Sequence, residues 1–268
     1  MSVRPAAVAN LFYPAEASEL RGYIHAALHD AAAQLPESLA QAKAMIVPHA
    51  GYIYSGTTAA FAYAALQTGK ADIHRVVLLG PAHRVAFDGI ALSGKDAFAT
   101  PLGLVPLDKL GREQILNLTP EAQINDAAHA QEHGLEVQLP FLQMVLGEFS
   151  LLPVCLGMVP PERVSCMMES LWDDPHSLFV ISSDLSHFHS YDAACNIDQH
   201  SITTVLQMQS PLNHEQACGA TGINALLPIA RNKHLRPKLL DYRNSGDTAG
   251  DKDRVVGYAA VVFSPEHG

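Results

Sequence analysis

The sequence of 268 residues is short of several things, and each shortage removes a class of function. It has four cysteines (Cys155, Cys166, Cys195 and Cys218) and no CxxC pair. Neither a disulfide framework nor a zinc ribbon follows, and the four read as free thiols in a reducing cytoplasm. Aromatics are only 7% of the chain, with a single Trp. Small aliphatics take their place, which suits strands buried between helices better than a β-sandwich. Charged residues are 16% against 48% hydrophobic, which excludes a disordered chain. Basic residues number 17 against 27 acids, a formal net charge of −10, so no nucleic-acid partner is expected. No apolar run reaches the roughly 20 residues that span a bilayer. The opening MSVRPAAVANLFYPAEASEL has no apolar h-region, so neither a membrane partner nor a secretory signal is expected. There is no internal repeat, no P-loop, no GxGxxG and no HExxH.

Histidine is what the chain has in quantity, at 14 residues. Their placement follows the predicted elements. Helical spacing marks 14–34, 56–69, 160–174, 192–208 and the stretch after Cys218. Apolar runs mark strands at 44–50, 74–83, 89–93, 149–157, 177–188 and 255–264, with another strand in PKLLDYRNSGD. Residues 102–130 read as short strands and a helix. EHGLEVQLPFLQMVL (132–146) reads as helix with a boundary at Pro140. Strands alternating with helices predict one domain over 1–268, a layered α/β/α fold around a central mixed sheet.

Three of the strand-like runs end in chemistry: Ile46-Val47-Pro48-His49, Val77 through Pro81 to His83, and Val180-Ile181 through Asp184 to His187. Ligands of open α/β sheets sit beyond the carboxyl ends of strands, so these ends are expected to converge. In PHAGYIYSG, Gly51 allows backbone close to a ligand, and Tyr52 and Tyr54 offer hydroxyls to a substrate. In EHGLEVQLPF, His133 at a helix start serves as base or substrate contact, or as a plain capping residue. Glu136 reads as an exposed acid, with orientation of an imidazole as the alternative. Asp184 and His187, three apart, bind metal, pair as acid and base, or cap a helix. Cys218 in ACGATG precedes a helix start. The dipole there would lower the thiol pKa and favour a ligand or reactive group, against the usual fate of a small buried hydrophobe. Asn244-Ser245-Gly246-Asp247 is a candidate pocket rim.

PHAGYIYSG, LLGPAH, EHGLEVQLPFLQ, SSDLSHF, ACG and YRNSGDTAGDKDRVVGYAAVVF, in this order, resemble the Memo family, known in many prokaryotes as protein B of the AmmeMemoRadiSam system. The resemblance runs from about residue 8 to 264. It implies a fold similar to the class III (LigB-like) extradiol dioxygenases, and a metal pocket of His49, His83 and Cys218. Asp184 and His187 would line that pocket, with His133 nearby. Fe(II) is the implied metal, with Cu or Zn as alternatives. The implied activity is that of a non-haem iron oxidoreductase opening a small aromatic diol. His133 or His187 would act as base, Asp184 as the nearby carboxylate, and Tyr52 or Tyr54 would hold a ring substituent. Two other functions fit the resemblance: a metal-binding redox adaptor that recognises a peptide or partner protein, AmmeMemoRadiSam proteins among them, and a zinc hydrolase.

Overall fold

The computed structural model describes residues 1–36, 41–68, 72–209 and 211–265. Its elements in chain order begin with β1 (Val3–Arg4), α1 (Ala17–Ala32), β2 (Ala44–Val47), α2 (Tyr52–Thr68), β3 (Arg75–Pro81), β4 (Ile90–Leu92), β5 (Ala97–Thr100) and β6 (Gly103–Pro106). They continue with α3 (Lys109–Leu118), β7 (Ala122–Ile124), α4 (Asp126–Ala130), α5 (His133–Glu136), α6 (Leu139–Leu146), β8 (Ser150–Leu156) and α7 (Pro161–Trp172). Last come β9 (Ser177–Ser182), β10 (His187–His189), α8 (Tyr191–Leu206), α9 (Ala220–Asn232), β11 (Leu235–Asn244) and β12 (Val255–Pro265). The boundary expected at Pro140 is real, because the proline sits in the first turn of α6, where its missing N–H costs nothing. The helix expected to end at residue 69 runs to Thr68, and Gly69 lies outside the described residues.

The main sheet has the order β10-β12-β2-β9-β3-β8-β4-β7, with β11 also paired to β12. Its centre is parallel: β2 with β9, β9 with β3, and β3 with β8. Its flanks are antiparallel, β12 on β2 and β4 on β8, which makes the expected mixed sheet. The central strands are buried on both faces, and their side chains alternate accordingly. Met45, Val47, Val76, Leu78 and Val180 pack with α1, α2 and α6 on one side. Ala44, Ile46, Val77, Leu79 and Ile181 pack with α7 and α9 on the other. Two apolar cores thus share one sheet, giving the α/β/α layers read from the sequence. A small second sheet, β1-β5-β6, carries the N-terminal strand.

Glu136 corrects an expectation. It is fully buried rather than exposed. Its carboxylate pairs with the Arg4 guanidinium and accepts from the Ala7 and Val8 N–H groups and the Tyr13 hydroxyl. Arg4 also donates to the carbonyls of His129 (2.7 Å) and Glu132 (2.9 Å). The N-terminal strand is thereby fastened to the segment that carries α4 and α5. Arg4→Met removes one partner of a buried pair and strands the other charge, which typically costs about 3–5 kcal/mol. Urea denaturation should show a loss of that order without loss of secondary structure in the native baseline.

His129 is the second buried polar group of this region. Its Nε2–H donates to the Ala91 carbonyl at 3.0 Å, and its Nδ1 is buried without a hydrogen-bond partner among the described residues. Burial lowers its pKa to about 4. The native state therefore holds it neutral while the unfolded chain protonates near 6.5. Its contribution is fully present above pH 6.5 and is lost as pH falls towards 4, because the unfolded state binds the extra proton. The parent should lose more unfolding free energy than His129→Gln across that window, by up to about 3 kcal/mol. Equal pH slopes for the two proteins would refute it.

Candidate metal centre

Three neighbouring parallel strands end at the same edge of the sheet, and each delivers a chemical group. β2 runs through Pro48 into His49, β3 through Ala82 into His83, and β9 through Ser183 into Asp184. Because β9 lies between β2 and β3 in parallel register, the three ends must be neighbours. The His49 N–H donates to Asp184 Oδ1 at 2.7 Å, and the His49 and His83 rings meet edge-on with centroids 5.0 Å apart.

A short helix adds a third imidazole. Glu132 caps α5 by accepting the Gly134 N–H at 2.8 Å, which places His133 at the first helical position. The His133 ring centroid lies 4.5 Å from that of His83 and 5.4 Å from that of His49. One ligand nitrogen from each of His49, His83 and His133 falls within 4.8 Å of the other two. His133 thus stands inside the group rather than beside it. Cys218 reaches the group at His49, its Sγ 3.3 Å from His49 Nε2.

The hydrogen bonds around the cluster settle which nitrogens are available. Ser182 Oγ donates its one proton to the Gly134 carbonyl and accepts from Gln138 Nε2 at 2.9 Å. It must then accept from His49 Nδ1, 2.9 Å away, so His49 carries its proton on Nδ1 and presents the Nε2 lone pair. Tyr63 orients Gln138 in turn through its side-chain oxygen at 2.6 Å. His83 is fixed the same way. Its Nδ1 lies 2.8 Å from Glu132 Oε1, an acceptor, while Glu132 Oε2 takes the His83 backbone N–H at 2.7 Å. A carboxylate behind an imidazole is the arrangement that orients metal-binding histidines. α5 approaches His49 closely at Gly134, where a Cβ would stand 3.1 Å from Glu132 Oε1 and 3.2 Å from His49 Nδ1, a tight fit that a larger residue would have to relax.

Electrostatics favour neutral donors. Burial, helped by the neighbouring His83, lowers His49 to a pKa of about 3. Burial, with His49 and His83 nearby, lowers His133 to about 4. Burial works against ionisation of Glu132, but the hydrogen bond and charge of His83 outweigh it and bring the carboxyl to about 2. Asp184 is raised by burial, despite His187 and the His49 N–H. Cys218 reverses the expected direction. Desolvation, with the Asp184 carboxylate beside it, pushes the thiol up to about 12, and α9 begins only at Ala220. Without a cation the sulfur keeps its proton. A bound metal would remove it, because a coordinating thiol is deprotonated by the ion's own charge.

Two clefts meet at this cluster. One, of about 490 Å³, is lined by Tyr54, His133, Asp184, His187, Arg254 and Tyr258, among others. The other, of about 560 Å³, is lined by His83, Cys218, Phe87, Met158, His214 and Thr221, among others. Of the Asn244-Ser245-Gly246-Asp247 segment expected at a pocket rim, Ser245 lines the first cleft, with Asp251 beyond it. Tyr52 does not line it. Its ring is buried and its hydroxyl donates to the Val137 carbonyl at 2.7 Å, so of the two tyrosines expected at a substrate only Tyr54 faces the cleft. Glu132, Ser182 and Gln138 were not singled out in the sequence. The signal for Glu132 was its place directly before His133, an acid at a helix start.

The residues fit a divalent transition metal. Two imidazoles present oriented Nε2 lone pairs, and His133 Nδ1 is buried without a hydrogen-bond partner among the described residues. Imidazole and thiol donors suit iron, copper and zinc better than magnesium or calcium. Loss of an orienting partner typically costs 10–100-fold in metal affinity. Glu132→Gln keeps the size of the cap but weakens the hold on His83, and should weaken Zn²⁺ binding by about that factor in calorimetric titration.

A sequence model of the family described as Memo-like protein matches residues 4–262. A MEMO1 family protein of Aquifex aeolicus is 36% identical over 279 residues, covering 98% of this chain and 100% of the relative. One of Ignicoccus hospitalis is 35% identical over 290 residues, covering 98% and 99%. One of Metallosphaera sedula is 34% identical over 284 residues, covering 98% and 100%. These matches span the strand ends, α5 and Cys218 alike, and the chain belongs to the Memo family.

Proposed function

We propose that the protein is a metal-dependent oxidoreductase that uses Fe(II) at His49, His83 and His133, with Cys218 as an added donor, to oxidise a small aromatic diol with dioxygen. The observation that carries this reading is the set of three ligand nitrogens within 4.8 Å of one another at the edge of an open cleft. Ferrous iron, when bound, would supply coordination positions for the diol oxygens and for dioxygen. The chain supplies the rest. Tyr54, Phe12 and Tyr258 form an aromatic wall suited to a flat ring. His187 lies in the same cleft and takes the phenolic proton as general base. Asp184, whose Oδ1 holds the His49 N–H, keeps the strand ends together and places a carboxyl group on the cleft wall. His133 was expected as an alternative base. Its place among the ligand nitrogens leaves that work to His187.

A second reading has its own support. Leu11 and Phe188 at the mouth of the cleft are 78% and 61% exposed. A small diol needs no such apolar rim, whereas a peptide or partner protein would cover it. On that reading the metal serves a redox adaptor without turnover. Oxygen uptake on adding a catechol to the Fe(II)-loaded protein separates the two: uptake supports the oxygenase, and none across a catechol panel supports the adaptor. Zinc-dependent ester cleavage without oxygen uptake would replace both with a hydrolase.

His49→Ala and His83→Ala should each lose bound iron, measured by metal analysis after anaerobic purification, with circular dichroism unchanged. Cys218→Ser should weaken copper and zinc more than iron, because thiolate favours softer metals. Retention of one full equivalent of metal by both histidine variants would overturn the assignment.

A further inference from the structure

The opposite ends of two of these strands carry a second group of metal-binding side chains. β3 and β9 are parallel, with Arg75 beside Ser177, so the residues that enter them, His74 and His176, are also neighbours. Their backbones are joined there, since the His74 and Arg75 N–H groups donate to the His176 carbonyl at 3.0 and 3.2 Å. The two imidazole centroids lie 5.1 Å apart. Asp72 bridges them, with Oδ1 3.2 Å from His74 Nε2 and Oδ2 3.3 Å from His176 Nδ1. His176 Nδ1 also lies 3.0 Å from the Asp72 carbonyl. One ligand atom from each of Asp72, His74 and His176 falls within 4.8 Å of the other two.

We propose that Asp72, His74 and His176 form a second, surface site for a borderline divalent transition metal, with Zn²⁺ or Ni²⁺ as the ion class. Two imidazoles and one carboxylate on one face leave coordination positions for water or an outside ligand. The site is open enough for a hydrated ion, because the Asp72, His74 and His176 side chains are 71%, 66% and 46% exposed. Arg75, next to His74 in the chain, does not oppose it. Arg75 is held by Asp108 at 2.7 Å and by Asp174 at 3.2 Å, so two carboxylates offset its charge. Asp174 also accepts the His176 N–H through Oδ1 at 3.0 Å, which fixes the backbone beneath one ligand. His74 borders a cleft of about 690 Å³ that contains Arg21 and Glu148, so an ion there would face a cleft of its own. The seven residues of β3 separate His74 from His83 at the first centre by roughly 20 Å or more. The proposal therefore stands whether or not that centre is an oxygenase.

The test is zinc stoichiometry by calorimetry on metal-free parent and on His74→Gln/His176→Gln, whose substituted side chains are exposed and leave the core intact. The parent should bind one equivalent more than the variant, and excess zinc should raise its Tm further, since an ion that binds only the folded state stabilises it. In His49→Ala/His83→Ala, Cu²⁺ should still give an electron paramagnetic resonance spectrum with two nitrogen ligands. Equal stoichiometry in parent and His74→Gln/His176→Gln would overturn the site. So would loss of both equivalents in that variant, which would mean one coupled centre rather than two.

Discussion

The Glu132 carboxylate is the interaction on which the centre depends. One group receives the His83 backbone N–H, the His83 ring N–H and the Gly134 N–H. It therefore fixes the end of β3, the orientation of one imidazole and the start of the helix that delivers another. Its backbone carbonyl is held by Arg4, which is paired with Glu136 four residues on. A buried carboxylate is costly to desolvate, and here several donors offset that cost. Without it, His83 would have a free ring and α5 no cap, and the distance between His83 and His133 would no longer be set.

How far the site could be read in advance follows from what each residue depends on. His49, His83 and Asp184 were legible because each terminates an apolar run, and neighbouring parallel strands bring their ends together whatever the loops do. The α/β/α layering was legible for the same reason, the unbroken apolar character of strands buried on both faces. Glu136 was misread because its partner, Arg4, lies 132 positions away, and nothing local distinguishes a buried acid from a solvated one. Tyr52 was misread because Tyr52 and Tyr54, two residues apart on α2, point to nearly opposite faces, one to the core and one to the cleft. The thiol of Cys218 was given the wrong direction because a helix dipole acts within a turn, whereas burial here is set by tertiary packing.

Three imidazoles held this close cannot all carry protons, since like charges at such distances repel strongly when desolvated. The fold resolves this by burying His49 and lowering both it and His133 well below the usual range. The result is that His49 and His133 stand as neutral nitrogen donors beside a carboxyl group and a protonated thiol. A bound cation would satisfy the lone pairs and displace the sulfur's proton. The same burial that weakens His49 and His133 as bases improves them as ligands. On the proposed oxygenase reading, proton transfer is left to His187, which lines the cleft outside the three-nitrogen group.

The cluster also forms a partition. His83 and Cys218 line one cleft, while His133 and Asp184 line the other, and His49 is buried between them with its Nε2 beside the sulfur. A molecule in the first cleft meets the sulfur side of the centre, and one in the second meets the carboxyl side. Their walls differ accordingly. The second carries Tyr54, Tyr258 and Arg254, the last stacked 5.0 Å over the exposed Phe188 ring, while the first is bounded by Phe87, Met158 and Val159. The two clefts thus present different chemistry on the two sides of one ligand group. The group itself can stay unchanged while either wall varies.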